Sequence, residues 1–193
     1  MDLLDNYRRS LSEFTERVRQ VRPDQWGNPT PCTDWDVRTL VNHIVTEDRW
    51  TVPMFGGATI AEVGDRFDGD LLGADPIGSA DDAAKQAEAT VAEPGALDRT
   101  VHLSFGDTPA EEYVWQLLAD HLVHAWDLAA AIGADRGLPD DVVRGCAAWF
   151  TDREPLYRGS GAIGAAVEVP EDASDQDRLI AAFGRDPAWS PPR

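Results

Sequence analysis

Four histidines stand in the chain, His43, His102, His121 and His124, and three of them fall in stretches whose apolar spacing predicts helices. In Asp120-His121-Leu122-Val123-His124 a carboxylate and an imidazole are four residues apart, so on a helix both project from one face about one turn apart. Such a pair can chelate one cation. His43 lies between Leu40 and Ile44 in another helical pattern, which points its ring inward with the apolar face and makes a third ligand available. Two imidazoles and one carboxylate suit Zn²⁺, Ni²⁺, Fe²⁺ or Mn²⁺ and leave coordination positions for water or substrate. A plainer account uses the same residues. An Asp/His pair at this spacing also arises by chance, and a histidine on an apolar face is commonly a satisfied core residue, so spacing alone leaves both accounts open.

Neighbouring groups widen the choice. His121 is three residues from His124 and could replace Asp120 as a ligand, although both cannot face the ion equally. Asp127, three residues after His124, could accept the second ring N–H of a ligand histidine, or be a surface acid. Glu47, one turn after His43, reads as a solvated glutamate, with a general base as the alternative. Cys32 is either a small buried residue or a reactive thiol near a helix start. Nucleophilic triads, phosphate-cradling glycine loops and the H-E-x-x-H pattern are absent, which removes the commonest hydrolase readings.

The elements that must position these side chains are mostly helical in pattern. Leu3, Leu4, Tyr7, Leu11, Phe14, Val18 and Val21 mark the first twenty residues as an amphipathic helix, stopped at Arg22-Pro23. After a turn-rich loop, Thr33 reads as the N-cap of a second helix with Asp34 and Asp36 in its first turn. It runs to about Thr51 and is ended by Pro53 and Gly56-Gly57. Residues 53 to 80 read as a long excursion with at most a short helical turn, and Asp81 to Ala92 as an Ala-rich third helix. Thr100 to Phe105 alternates like a strand but has no evident partner. Thr108-Pro109-Ala110-Glu111 looks like a capping box opening a helix that continues to Gly133. Pro139 begins another helix through Phe150. A Gly-rich stretch from Gly159 to Gly164 and an extended Val167 to Pro170 follow, and Ser174 caps a short terminal helix reaching Gly184.

Composition narrows the partners. A chain of 193 residues with 42% hydrophobic content supports one domain with a real core. Its 35 acidic against 17 basic residues, a net charge of -18, repel phosphate backbones and anionic lipid surfaces, so neither nucleic acid nor membrane is an expected partner. No apolar run spans a bilayer, the first residues lack the basic start and apolar run of a signal peptide, and Cys32 and Cys146 form no C-x-x-C pair. A cytoplasmic location is expected.

Thr30-Pro31-Cys32-Thr33-Asp34-Trp35-Asp36-Val37-Arg38-Thr39-Leu40-Val41-Asn42-His43, with Leu122-Val123-His124-Ala125-Trp126-Asp127-Leu128-Ala129 far downstream, resembles the N-terminal domain of mycothiol-dependent maleylpyruvate isomerases and their actinobacterial relatives, within the DinB/YfiT-like superfamily. The tail, Val169 to Leu179 and Gly184 to Pro187, is similar to a metal-binding branch of that group. The resemblance implies an all-α fold: a four-helix up-down-down-up bundle over about residues 1–155, in a single domain 1–193 with a short C-terminal helical extension over about 156–193. It implies His43, Asp120 and His124 as metal ligands, where the family's carboxylate is commonly glutamate, one methylene longer. It further implies a divalent metal, Zn²⁺ first with Ni²⁺, Fe²⁺ or Mn²⁺ as alternatives, and mycothiol as a cosubstrate. The isomerase carries an additional C-terminal domain, whereas about sixty residues follow Gly133 here. The first functional reading is a thiol transferase or isomerase acting with a small-molecule thiol on an electrophilic substrate, with a homodimer as a candidate assembly. A metal-dependent hydrolase, or a metal- or ligand-binding module without catalysis, are the alternatives.

Overall fold

A computed structural model describes residues 2–161 and 163–191. The order is α1 (Leu3–Val18), α2 (Val37–Phe55), α3 (Ile60–Val63), α4 (Pro76–Val91), β1 (Thr100–Leu103), β2 (Gly106–Pro109), α5 (Ala110–Ile132), α6 (Asp140–Thr151), α7 (Glu154–Ser160) and α8 (Asp175–Ala182). The fold is mostly helical, and the all-α expectation is corrected by one antiparallel hairpin, β1 on β2, with Val101 opposite Thr108. The partner of the Thr100 run was hidden because Gly106-Asp107-Thr108-Pro109 has poor strand propensity. Thr108 sits in that strand with its hydroxyl on Gly106 O, so it is no helix cap; α5 starts at Ala110 behind Pro109 without a side-chain cap.

The four long helices enclose one core. α1 packs on α5 and α4, and α2 packs on α4 and α5. Burial explains why. Leu3, Tyr7, Leu11, Phe14 and Val18 give α1 one apolar stripe, whereas α5 is buried on every side from His121 to Ile132. A helix without a polar face has to be central, since each apolar side chain moved out of water contributes roughly 1.5–3 kcal/mol. Polar side chains on such a helix need internal partners, and α5 carries three of these: His121, His124 and Asp127.

Three boundaries differ from expectation for local reasons. Asp36, not Thr33, caps α2, accepting from Thr39 N at 2.8 Å. The preceding chain folds back on itself through Thr30 N to Trp35 O and Val37 N to Asn28 O, so residues 31–34 form a turn with Asp34 at φ 71°. Aspartate tolerates that left-handed conformation better than most residues. Pro53 falls inside the last turn of α2, where it removes one i→i−4 hydrogen bond but has little helix left to interrupt, and the helix continues to Phe55. α4 begins at Pro76, before the expected Asp81, because Asp75 caps it and proline suits its first turn.

The C-terminal part packs through α6 on α5 and through α8 on α6. Ser174 caps α8 as its position predicts, accepting from Asp177 N at 3.0 Å. α7 was not anticipated. None of its side chains is buried, so it leaves no apolar period to read. The expected Gly159–Gly164 stretch includes position 162, which lies outside the described residues. Gly184 turns the chain after α8 at φ 83°, and a Cβ there would come within 3.2 Å of Ala165 O, so glycine is required. That turn aims Arg185 back at α5. No helix among the described residues is long and apolar enough to cross a membrane.

Candidate metal centre

α2 and α5 bring His43, Asp120 and His124 together. Asp120 bridges the two rings, with Oδ2 at 3.0 Å from His43 Nε2 and Oδ1 at 3.2 Å from His124 Nε2. One ligand atom from each residue lies within 4.8 Å of the other two, close enough for small side-chain shifts to set all three around a single ion with bonds of about 2.1 Å. The set fits a divalent ion in kind as well: two imidazole nitrogens, one carboxylate, and an open side. Asp120, although shorter than glutamate, reaches both rings.

Trp35 covers the rings. The turn before α2 sets its indole 4.9 Å from the His43 ring and stacked at 5.8 Å on that of His124. Burial opposes charge on His124, but the Asp120 charge, together with the ring's hydrogen bonds to Asp120 and Asp127 and its contact with Cys32, holds its pKa well above the ordinary value. Burial likewise works against the Asp120 carboxylate, yet the two histidines keep its pKa well below the usual range. Without an ion, a proton on His124 therefore offsets the Asp120 charge, and a metal would have to displace that proton.

Behind His124 stands a second row. Its Nδ1–H donates to Asp127 Oδ2 at 3.0 Å, which leaves Nε2 facing Asp120. Asp127 is fully buried, which overturns the surface-acid alternative. Arg185 compensates its charge, donating from Nη2 at 3.0 Å and from Nε at 3.2 Å to Oδ2. Cys32 donates its S–H to the same oxygen and accepts from Arg185 Nη2, each at 3.2 Å. Cys32, His124 and Asp127 also lie close enough to hold an ion, but the Arg185 guanidinium already supplies the positive charge there. Arg185 had no signal in the sequence beyond its place in the tail motif.

His121 is taken out of the ligand choice by the helix turn. Its Nδ1–H donates to Leu117 O at 2.6 Å, and Nε2 faces Asp48 Oδ1 at 3.1 Å in the core, with the Tyr7 and Phe14 rings edge-on. His102 is remote, paired with Asp107 on the hairpin at 2.7 Å. Glu47 is not the solvated residue expected: it is half-buried and lines the cavity over the triad. Burial first, then the Asp120 charge, pushes its carboxyl up to about 7.

A cavity of about 590 Å³ opens over the triad. The family model for the mycothiol maleylpyruvate isomerase N-terminal domain matches residues 7–129, which contain every residue of the triad. The chain belongs to that family. Two uncharacterised Mycobacterium tuberculosis proteins, Rv0738 and MT0763, are each 34% identical over 191 residues, covering 96% of this chain and 98% of theirs. The crystal structure of a mycothiol-dependent maleylpyruvate isomerase superposes with a TM-score of 0.65 at 18% identity, over 89% of this chain and 77% of that one. A histidine-to-alanine mutant of such an isomerase gives the same TM-score at 19% identity. At these identities the likeness speaks for the fold alone.

In this member of the mycothiol maleylpyruvate isomerase N-terminal domain family, the floor and the wall of the cavity have different origins. His43, Asp120 and His124 lie inside the matched span. Trp149, Tyr157, Phe183 and Arg185, which close one side, lie beyond it.

Proposed function

We propose that this family member is a divalent-metal protein, Zn²⁺ first, in which His43, Asp120 and His124 are the ligands and a small thiol, mycothiol by family, attacks an electrophilic substrate in a transfer or isomerisation. The proposal includes the up-down-down-up order of the four long helices, in one domain whose first 155 or so residues form the bundle. One observation carries it: three donors of the right kind converge beneath an open cavity. A structural metal site is closed, whereas a reactive one keeps a free position.

A bound divalent ion would supply the acidity that keeps a thiol as thiolate near neutral pH, where a free thiol of pKa about 8.5 is mostly protonated. The chain's own residues do the rest. Asp127 accepts a hydrogen bond from the Nδ1–H of His124, so the Nε2 lone pair points at the ligand position. Arg185 keeps Asp127 ionised: burial raises that carboxyl, but His124 and Arg185 bring its pKa below the ordinary value. Trp35 excludes water from the ring faces. Glu47, with a carboxyl near 7, can accept the proton of an incoming thiol at its own carboxylate.

Glu47 also favours a second reading, in which water replaces the thiol and the protein is a hydrolase. One experiment separates the two. Protein purified without added metal or chelator is analysed for metal, then assayed with mycothiol and electrophiles and with model esters. A stoichiometric ion, lost in His43→Ala, with thiol-dependent conjugation supports the proposal. Ester hydrolysis independent of thiol favours the second reading, and metal retained by His43→Ala overturns the ligand assignment.

A further inference from the structure

The cavity over the triad has a charge balance and a wall that together select the electrophile. Among the described residues lining it, Arg185 is the one arginine or lysine. Its guanidinium is already committed: Nε and Nη2 donate to Asp127, Nη1 donates to Phe183 O at 2.8 Å, and Nη2 also meets Cys32. Arg185 with Asp127 is therefore neutral as a pair. A dication bound to Asp120 and one thiolate is neutral too, and Glu47 adds either nothing or one negative charge. At the moment of attack the site holds no unpaired cation. The chain's net charge of -18 adds a field of the same sign.

The wall facing the triad is apolar and held in place. Trp149 donates Nε1–H to Glu112 at 3.2 Å, stacks on Trp115 at 6.0 Å and 10°, and lies under the Arg153 guanidinium at 5.2 Å. Tyr157 meets Trp149 edge-on at 6.0 Å, and Phe183 stacks on Phe150 at 4.1 Å. Rings fixed in advance bind a flat apolar body without an ordering cost. A buried carboxylate without a partner, in contrast, is strongly disfavoured.

Resting on the thiol-transfer reading above, we infer that the electrophile is an uncharged molecule with an aromatic or otherwise flat apolar body, such as an aryl-substituted α,β-unsaturated ketone, and not an anionic keto acid of the maleylpyruvate type. The reaction is a balanced addition. The thiol S–H gives its proton to Glu47, the sulfur forms a bond to the β-carbon, the C=C pair moves toward the carbonyl, and the proton returns to the α-carbon. No group leaves and no oxidant is needed.

The test uses the full, metal-loaded chain and a matched pair: benzalacetone and its para-carboxylate. Binding is read first without thiol, by quenching of tryptophan fluorescence and by calorimetry at about pH 8, where a water on the ion would be ionised and would carry the charge that the thiolate supplies in the reaction. The neutral ketone is expected to bind at least about tenfold more tightly. Trp149→Ala weakens it by a similar factor while the metal content stays stoichiometric. Tyr157→Ala, on the exposed α7, does the same to a lesser degree with less demand on folding, and Glu47→Gln narrows the preference by admitting the carboxylate. Equal affinity for both probes, preference for the carboxylate, or binding of neither overturns the inference. Mycothiol is then added. Preferential binding of the neutral ketone without conjugation sinks the thiol reading and leaves the selectivity standing, whereas conjugation of the carboxylate alone sinks the selectivity and leaves the thiol reading standing.

Discussion

Asp127 Oδ2 lies 3.0 Å from Nδ1 of His124, and its carboxylate is wholly buried. The pair sets which nitrogen of His124 is free, because a ring that donates from Nδ1 presents its lone pair at Nε2, on the Asp120 side. Partners of this kind around ligand histidines typically contribute 10–100-fold in metal affinity. Asp127→Asn keeps the shape but no longer enforces the tautomer, so it is expected to weaken metal binding by about that factor. Competition with a chromophoric chelator measures it. An unchanged affinity would mean that Asp127 serves only to neutralise Arg185.

His121 and His43 should separate cleanly. His121 faces Asp48 in the core, with side chains 0% and 2% exposed, and is no part of the triad. Removing one partner of a buried ion pair strands the other charge, at a cost of roughly 3–5 kcal/mol. His121→Ala should therefore lower the denaturation midpoint sharply and yet bind one ion per folded chain. His43→Ala should show the reverse, a small loss of stability and no ion. If His121→Ala lost metal while still folded, a ligand role for it would return.

Helical spacing made part of this site legible. Asp120 and His124 share a face because four residues are about one turn, and His43 declared its orientation through Leu40 and Ile44. What spacing could not decide was between Asp120 and His121, which depends on how α5 is rotated against α1 and α2. Arg185 was illegible for a different reason: it is 58 residues from Asp127 and reaches it only after α6, α8 and the Gly184 turn have packed. α1, α2 and α5 could be read from apolar periods, and α4 from its alanine content, with its start set late at Asp81. The hairpin and α7 could not, the first because its second strand is built from weak strand formers, the second because it buries nothing.

Glu47 gives a prediction with a definite sign. Its folded pKa of about 7 lies above the ordinary 4.5, so the unfolded chain releases this proton at lower pH than the folded one. Stability is then lost as pH rises from about 4.5 to about 7, and the cost is constant above that. Glu47→Gln removes the titration. The metal-free variant should match the parent near pH 4 and exceed its stability near pH 8 by on the order of 2 kcal/mol. Urea titrations at the two pH values read the difference. A variant that is less stable at the higher pH would show that the carboxylate has a partner in solution.

The last prediction concerns the ion and the proton as competitors. In the metal-free protein, His124 has a raised pKa and Asp120 a lowered one. The His124 contribution to stability is fully present below the unfolded histidine pKa, about 6.5, and is lost as pH rises through its folded value. The Asp120 contribution is present above the unfolded aspartate value, about 3.9, and is lost as pH falls through its lowered folded value. Metal-free stability from this pair therefore peaks between those limits and declines on the alkaline side. A metal ion needs the neutral ring, so its binding releases a proton and strengthens with pH. The stabilisation on adding metal should thus be small near pH 5.5 and large near pH 8, where an ion at a hundred times its dissociation constant contributes about 2.7 kcal/mol. Thermal melts with and without Zn²⁺ at the two pH values test it, together with calorimetry in buffers of different ionisation enthalpy to count the proton. A metal-induced shift of equal size at both values, with no proton released, would place the ion away from His124.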